Sequence, residues 1–579
     1  MPLRSDDGLK RNFDLLIGLI LASLAVAWRL YAGLGKGPPT GDELIAAVTT
    51  FEILQTNGFV PFLVGQDYMG TVQEYMMAAF MMVLGVNELS LRLPPVVFSG
   101  AAVFLAYHTI SKEISRIVAL ASSVLLVAGN SAIVSTQALP DNSATIFACV
   151  AIAWQTFRVD RSRTLVQWVM LGVLAGVGAY LHQISVLQTI GSLVFLTSRS
   201  VIWARLRSTV SAQTVFLLMS FALIAGILLS AVGYHFLTRR SSFVASPADS
   251  AALIGGLFFA GVFLIVLIRA LKPSRYELAS IASFVVPFVG FWGLPHLWFR
   301  YHQLPALMSD HVPLWSAGTY SLKHAHQWFT EQPGLFFNYV LPRILIGKSE
   351  LFSGPGMLSG PVPIETLGWF SVVGASLLLA GLFLHFRTRN ACFSLPECVF
   401  LLPLLLLILA FFPSWRLVGP GSYRYVVLFA PALYLAIVLA IRAIFASRAV
   451  LFSLVGAYVL YAAYDVFAQR QFVSPDKDCD SIAARLTELK ADGVVVSGRC
   501  AQQLAWRAAG RYWVADADYR PGDHPTLYLR PSRVAAADSI AAVNLDEAAL
   551  SRLLGVNPKT LSSVEVSPGL VIYRRRPSS

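Results

Sequence analysis

The chain has 579 residues, 56% of them hydrophobic and only 13% charged, with a formal net charge of +12. Apolar runs long enough to cross a bilayer recur along most of its length, which excludes a soluble globular protein. The positive charge does not mark a nucleic-acid binder, because the Lys and Arg lie in short loops between apolar runs, where they set membrane orientation.

The first apolar run, Leu15 to Tyr31, ends in no small-residue cleavage site and reads as a retained span rather than a signal peptide. Apolar length predicts about thirteen spans. They fall near 13–32, 94–110, 117–134, 143–157, 165–181, 184–199, 214–236, 250–268, 279–298, 366–386, 397–412, 424–443 and 449–467. Alternate loops are basic, from Lys10 and Arg11 through Lys112 and Arg116, Arg158 to Arg163, Arg199 to Arg207, Arg269 to Arg275, and Arg387 and Arg389 to Arg442 and Arg448. The positive-inside rule makes that face cytoplasmic. The expectation is a multi-pass protein of the plasma (inner) membrane with a cytoplasmic N-terminus. Residues 1–473 form an all-α membrane domain with external loops 33–93 and 299–365, and residues 474–579 a small extracytoplasmic α/β domain.

The first external loop carries Asp42, Glu43, Glu52, Asp67 and Glu74. Leu44, Ile45, Val48, Phe51, Ile53 and Leu54 recur near helical spacing after Thr40-Gly41 and stop at Asn57-Gly58, which predicts a helix lying in the interface. Asp42 and Glu43 fall in its first turn, where the helix dipole keeps a carboxylate ionised. A plain capping role for the pair stands beside any chemical one. Arg92 lies at the entry to the second span, on the same side. The turn "YLHQI" presents His182, and "FFPSWRLVGPGSYRYVVLFAPALY" presents Arg416 and Arg424.

The 299–365 loop adds Lys323, His324, His326 and Arg343. His324-x-His326 has no third ligand evident nearby and is not read as a zinc site. After residue 474 helical and strand patterns alternate, with "VVVSG", "YWVAD", "TLYLR" and the pair in "SVEVSPGLVIYRRR" as strands. Cys479 and Cys500 both lie there, where an oxidising compartment would allow a bridge between them, and the sequence leaves open whether they pair. Cys149, Cys392 and Cys398 read as structural thiols.

The "GDE" after the first span, followed by "PFLVGQDYMGTVQEYMMAAFMMVLGVNELSLRLPP", resembles the first external loop of the GT-C glycosyltransferases. The nearest likeness is to the protein mannosyltransferase, aminoarabinose transferase and rhizobial galacturonosyltransferase-like group. "GVLAGVGAYLHQ" and "YRYVVLFAPALY" resemble two further segments of that group. The resemblance implies inverting transfer of a sugar from a polyprenyl-phosphate carrier to a hydroxyl on a lipid, glycan or protein. It implies Asp42 as general base with Glu43 as its motif neighbour. Arg92, His182, Arg416 and Arg424 would meet the donor phosphate, His182 standing where relatives often hold a Lys. Asp67, Tyr68 and Glu74 would bind the acceptor or brace the loop. No cofactor or nucleic acid is called for, and the sugar, acceptor, metal dependence and oligomeric state stay open. A transporter or flippase, or a polysaccharide polymerase or ligase, is the alternative. The charges sit in loops and no second acidic loop is found, which weighs against the transporter.

Overall fold

The computed structural model describes residues 5–34, 42–56, 59–63, 66–137, 142–199, 274–301, 364–387, 394–411 and 423–468, with isolated residues and five strands beyond them. The expected spans 214–236 and 250–268, the body of the 299–365 loop and Arg416 lie outside the described residues, as do Cys392 and Cys500.

The architecture is a helical membrane bundle. In chain order it contains α1 (Ser5–Gly33), α2 (Asp42–Thr56), the short hairpin β1 (Phe62–Leu63) and β2 (Gln66–Gly70), α3 (Val72–Leu84) and α4 (Glu88–Glu113). Then come α5 (Arg116–Ala128), α6 (Ser131–Gln137), α7 (Asn142–Ser162), α8 (Leu165–Leu181) and, after a 3-10 turn at Gln183–Ser185, α9 (Val186–Ser198). The remainder comprises α10 (Arg275–Tyr301), α11 (Ile364–Arg387), α12 (Glu397–Phe411), α13 (Tyr423–Val427), α14 (Ala430–Phe445) and α15 (Arg448–Ala468). Among the described residues, segments in α1, α4, α10 and α15 are long and apolar enough to cross a membrane. Leu460 and Phe467 on α15 and Val286 on α10 are more than 60% exposed, as befits a surface solvated by hydrocarbon.

Two expected spans are broken. The run 117–134 divides into α5 and α6 at Gly129, which takes φ +33, and 424–443 divides into α13 and α14. Apolar length alone does not register such a break. Arg29 donates to the Leu126 carbonyl at 2.8 Å and the Val127 carbonyl at 3.3 Å, so a cation meets the negative end of α5. Asp465 accepts from Ser131 N–H at 2.8 Å, so an anion meets the positive end of α6.

The other departure is α3, an apolar helix inside what sequence reads as a loop. At one end of the bundle the ion pairs Arg116–Asp14, Arg161–Glu113 and Arg199–Asp160 gather, at 2.7, 2.7 and 3.2 Å. These arginines all come from the alternate basic loops.

In the C-terminal part the strands are β3 (Gly493–Val496), β4 (Trp513–Asp516), β5 (Ser539–Val543), β6 (Leu561–Ser567) and β7 (Leu570–Arg575). They form one mixed sheet in the order β4-β3-β5-β7-β6. β3 runs parallel to β4 and β5, whereas β7 is antiparallel to β5 and β6. β5 was not anticipated, and "TLYLR" lies outside the described residues. Cys479 is disulfide-bonded, its partner outside the described residues, whereas Cys149 and Cys398 are buried thiols outside any disulfide.

α8 and α10 meet backbone to backbone. Gly172 and Gly176 sit one turn apart on α8, and a Cβ at Gly176 would fall 2.7 Å from the Phe288 carbonyl oxygen. Gly176→Val is expected to force these helices apart and cost about 1–3 kcal/mol. A lowered unfolding midpoint in detergent, with Val166→Ala on the exposed face of α8 as the unaffected control, would verify this.

Candidate active site

The site is built at the opposite end of the bundle from the ion pairs. α2 opens on Asp42 and Glu43. Its buried face is Leu44, Ala47, Thr50 and Phe51, while Ile45, Val48, Ile53 and Leu54 are only half-buried. One face of the helix packs against protein, and the rest of its apolar stripe stays partly exposed. Thr49 and Thr50 are accommodated in it by donating to the Ile45 and Ala46 carbonyls, at 2.8 and 2.7 Å.

Glu43 is held by Arg92. Arg92 Nε donates to Glu43 Oε1 at 2.6 Å and Nη2 to Oε2 at 3.2 Å, a two-point pairing. Nη1 donates to Glu88 Oε2 at 2.7 Å and to the Gly33 carbonyl at 2.8 Å. The guanidinium is 3% exposed and joins the end of α1, the start of α2 and the first turn of α4. Asn87 starts α4 with a reciprocal cap to Ser90, which places Glu88 and Arg92 on one face, four residues apart. Glu88 was missed in the sequence, although its i,i+4 spacing to Arg92 was there to be seen.

The next tether is Tyr180, at the end of α8. Its hydroxyl donates to the Pro61 carbonyl, and lies 3.4 Å from Thr71 N. Thr71 Oγ1 donates to the Val60 carbonyl at 2.5 Å, and Val60 N–H to Tyr75 Oη at 2.9 Å. Gly70 lies flat against the Tyr180 ring, where a Cβ would fall 2.6 Å away. The hairpin that carries Asp67 and Tyr68 is thereby pinned to α8. Glu74 is fully buried in the first turn of α3.

Met69 forms a β-bridge with His182, directly after Tyr180 and Leu181. His182 is 2% exposed and its Nδ1 accepts from Ile184 N–H at 3.3 Å. That bond assigns the ring proton to Nε2, making Nε2–H the donor. The ring stands edge-on to Tyr425, with centroids 6.0 Å apart, and Tyr425 neighbours Arg424 on α13. Burial, and then the positive charge of Arg424, push the His182 pKa down to about 4. His182 is therefore a neutral hydrogen-bond donor near pH 7, not a cation. The structure thus joins Glu43 to Arg92, and the Asp67 hairpin to His182, Tyr425 and Arg424. Among the described residues no group of three or more His, Cys, Asp or Glu side chains converges as a metal site, and His324 and His326 lie outside them. Phe51 of α2 also touches Trp506 of the C-terminal part, ring centroids 5.8 Å apart.

The family comparison falls on this same part of the helical bundle. Residues 70–235 match the family model described as dolichyl-phosphate-mannose-protein mannosyltransferase, a segment that holds Arg92, Tyr180 and His182. That segment is what this chain shares with the GT-C glycosyltransferases. No curated protein matches it. Among solved structures, it is similar to the oligosaccharyltransferase of Archaeoglobus fulgidus in complex with zinc and sulfate, at 13% identity and TM-score 0.48, over 96% of this chain and 73% of that one. It is also similar to ArnT of Cupriavidus metallidurans bound to undecaprenyl phosphate, at 12% identity and TM-score 0.38, over 96% and 97%.

Removing one partner of a buried ion pair strands the other. Arg92→Gln is expected to lower stability by about 3–5 kcal/mol, more than the partly exposed Arg116→Gln at the other end, whose surface pair is worth about 0–1 kcal/mol. Chemical unfolding of the two variants in matched detergent provides the comparison.

Proposed function

We propose that the protein moves a sugar from a polyprenyl-phosphate carrier to a hydroxyl acceptor at the non-cytoplasmic face, with inversion at the anomeric carbon. The observation that carries this reading is the joining of two parts. The start of α2 is held by Arg92, and His182, neutral with a donating Nε2–H, stands beside Arg424, both within reach of one hairpin.

In that reaction Asp42 removes the acceptor proton as its oxygen attacks the anomeric carbon. The bond from that carbon to the phosphate oxygen breaks, and polyprenyl phosphate leaves with the electron pair. The transition state is oxocarbenium-like, so an ordinary ionised carboxylate is base enough. Arg424 and His182 Nε2–H stabilise the charge developing on the phosphate, together with Arg416. Arg92 is assigned to bracing Glu43 rather than to the phosphate, because its donors already meet two carboxylates and a carbonyl. Glu74, being buried, belongs with the bracing groups, while Asp67 and Tyr68 on the hairpin serve the acceptor. No cofactor enters.

The experiment is Asp42→Asn in proteoliposomes with a polyprenyl-phosphate sugar. Asn keeps size and capping ability but not the proton-accepting charge. Release of polyprenyl phosphate should fall by about 100- to 10,000-fold while the unfolding midpoint holds. Near-normal turnover would reduce Asp42 to a helix cap.

The same reading orients the chain. Single cysteines at positions 67 and 500 on a cysteine-free background should react with an impermeant thiol reagent in intact cells, and one at position 10 only after permeabilisation. Protection of position 67 would invert the proposed topology.

A further inference from the structure

A second feature lies beneath the acidic loop and plays no part in the chemistry above. α1, α5 and α15 enclose an open-sided groove of about 500 Å³. Its wall runs from Leu21 through Leu24 and Trp28 to Tyr31 on α1, faced by Val127 of α5 and by Val459 and Ala463 of α15. The ten-residue step from Leu21 to Tyr31 is about 15 Å of helix. That is half of a hydrocarbon core about 30 Å thick. The groove is therefore one leaflet deep. Trp28 and Tyr31 are stacked at its upper end, centroids 5.8 Å apart, with Trp28 Nε1–H satisfied by the Ala128 carbonyl. The groove accordingly presents apolar faces to an apolar chain.

The upper end says whose chain this is. Two residues beyond Tyr31, the Gly33 carbonyl accepts from Arg92, which holds Glu43, the neighbour of Asp42. A chain in the groove brings its headgroup up at the base. The phosphate-binding groups belong to the α8 turn and α13, and neither lines the groove. The carrier's prenyl chain would have to leave from those groups instead. Resting on the assignment of Asp42 as base, we infer that the acceptor is a lipid bearing a hydroxylated head, and that one of its hydrocarbon chains lies in the α1/α5/α15 groove.

The test reads binding without turnover, so it stands apart from the donor assay. Nanodiscs of unlabelled phosphatidylcholine receive one of three bromine-chain probes: a dodecyl glucoside, a phosphatidylcholine or a short polyprenyl phosphate. Trp28 fluorescence is taken as the difference between the protein and Trp28→Phe. The glucoside should half-quench that signal at a mole fraction about tenfold below the phosphatidylcholine. Ala463→Phe, or Leu24→Phe on the more exposed wall, should remove the preference. Equal quenching by glucoside and phosphatidylcholine would make this a surface for bulk lipid. Stronger quenching by polyprenyl phosphate would give the groove to the donor. Either result, or no quenching by the glucoside, overturns the inference.

Discussion

A guanidinium buried to 3% exposure cannot stand alone in a membrane protein, and much of the site's geometry follows from satisfying Arg92. Its donors are met from three elements: the last carbonyl of α1, a carboxylate from the first turn of α2, and a carboxylate from its own helix. These bonds decide where the chain must be when it emerges from α1 and where α2 must begin. The planar fork explains why the residue is Arg. A lysine ammonium has one point of charge and could not pair edge-on with Glu43 while also reaching Gly33 and Glu88. The position of Asp42 is inherited from this clamp, since it precedes Glu43 by one residue at the helix start.

The second half of the site is fixed by a neutral group. Tyr180 ends α8 with its ring against Gly70 and its hydroxyl among the backbone groups of residues 60–71. Those groups would otherwise be buried without enough partners, because a two-residue β1 supplies little pairing. The same helix end delivers His182 to Met69. Loop and helix therefore position one another, and His182 rests on a helix terminus rather than on a free loop.

The sequence made the helices legible wherever one apolar run made one helix, as in α1, α7, α8 and α15. It failed where the run continued through a change of direction. "LLVAGNSAIV" reads as one span, yet Gly129 and Asn130 break it, and the groups that make the break tolerable come from distant α1 and α15. α3 was hidden by the company it keeps: its carboxylate-bearing neighbours mark a loop, and Glu74 gives no hint that it is buried. The charge of His182 was hidden for the same reason. Its position in a polar turn suggests partial protonation, while burial beside Arg424 removes it. Arg92 stood out as a cation on the unexpected side, but its partners could be named only once α1, α2 and α4 were brought together. The β1–β2 pairing had too few residues to leave a pattern.

Ionisable residues inside spans ordinarily argue for a transport pathway, and the described residues include Arg29 and Asp465, both buried. Both are tied to helix ends. Arg29 meets the carbonyls that α5 leaves open at its C-terminus, and Asp465 meets the first amide of α6. Charge of each sign sits on the helix end that attracts it. A permeant ion would have to compete with those bonds, so neither residue lends support to a transporter. What the two charges secure is the bend between α5 and α6, which lays α6 against α13, the short helix that carries Arg424. The intramembrane charges thus serve the same end of the bundle as Arg92 does, by deciding where helices stop.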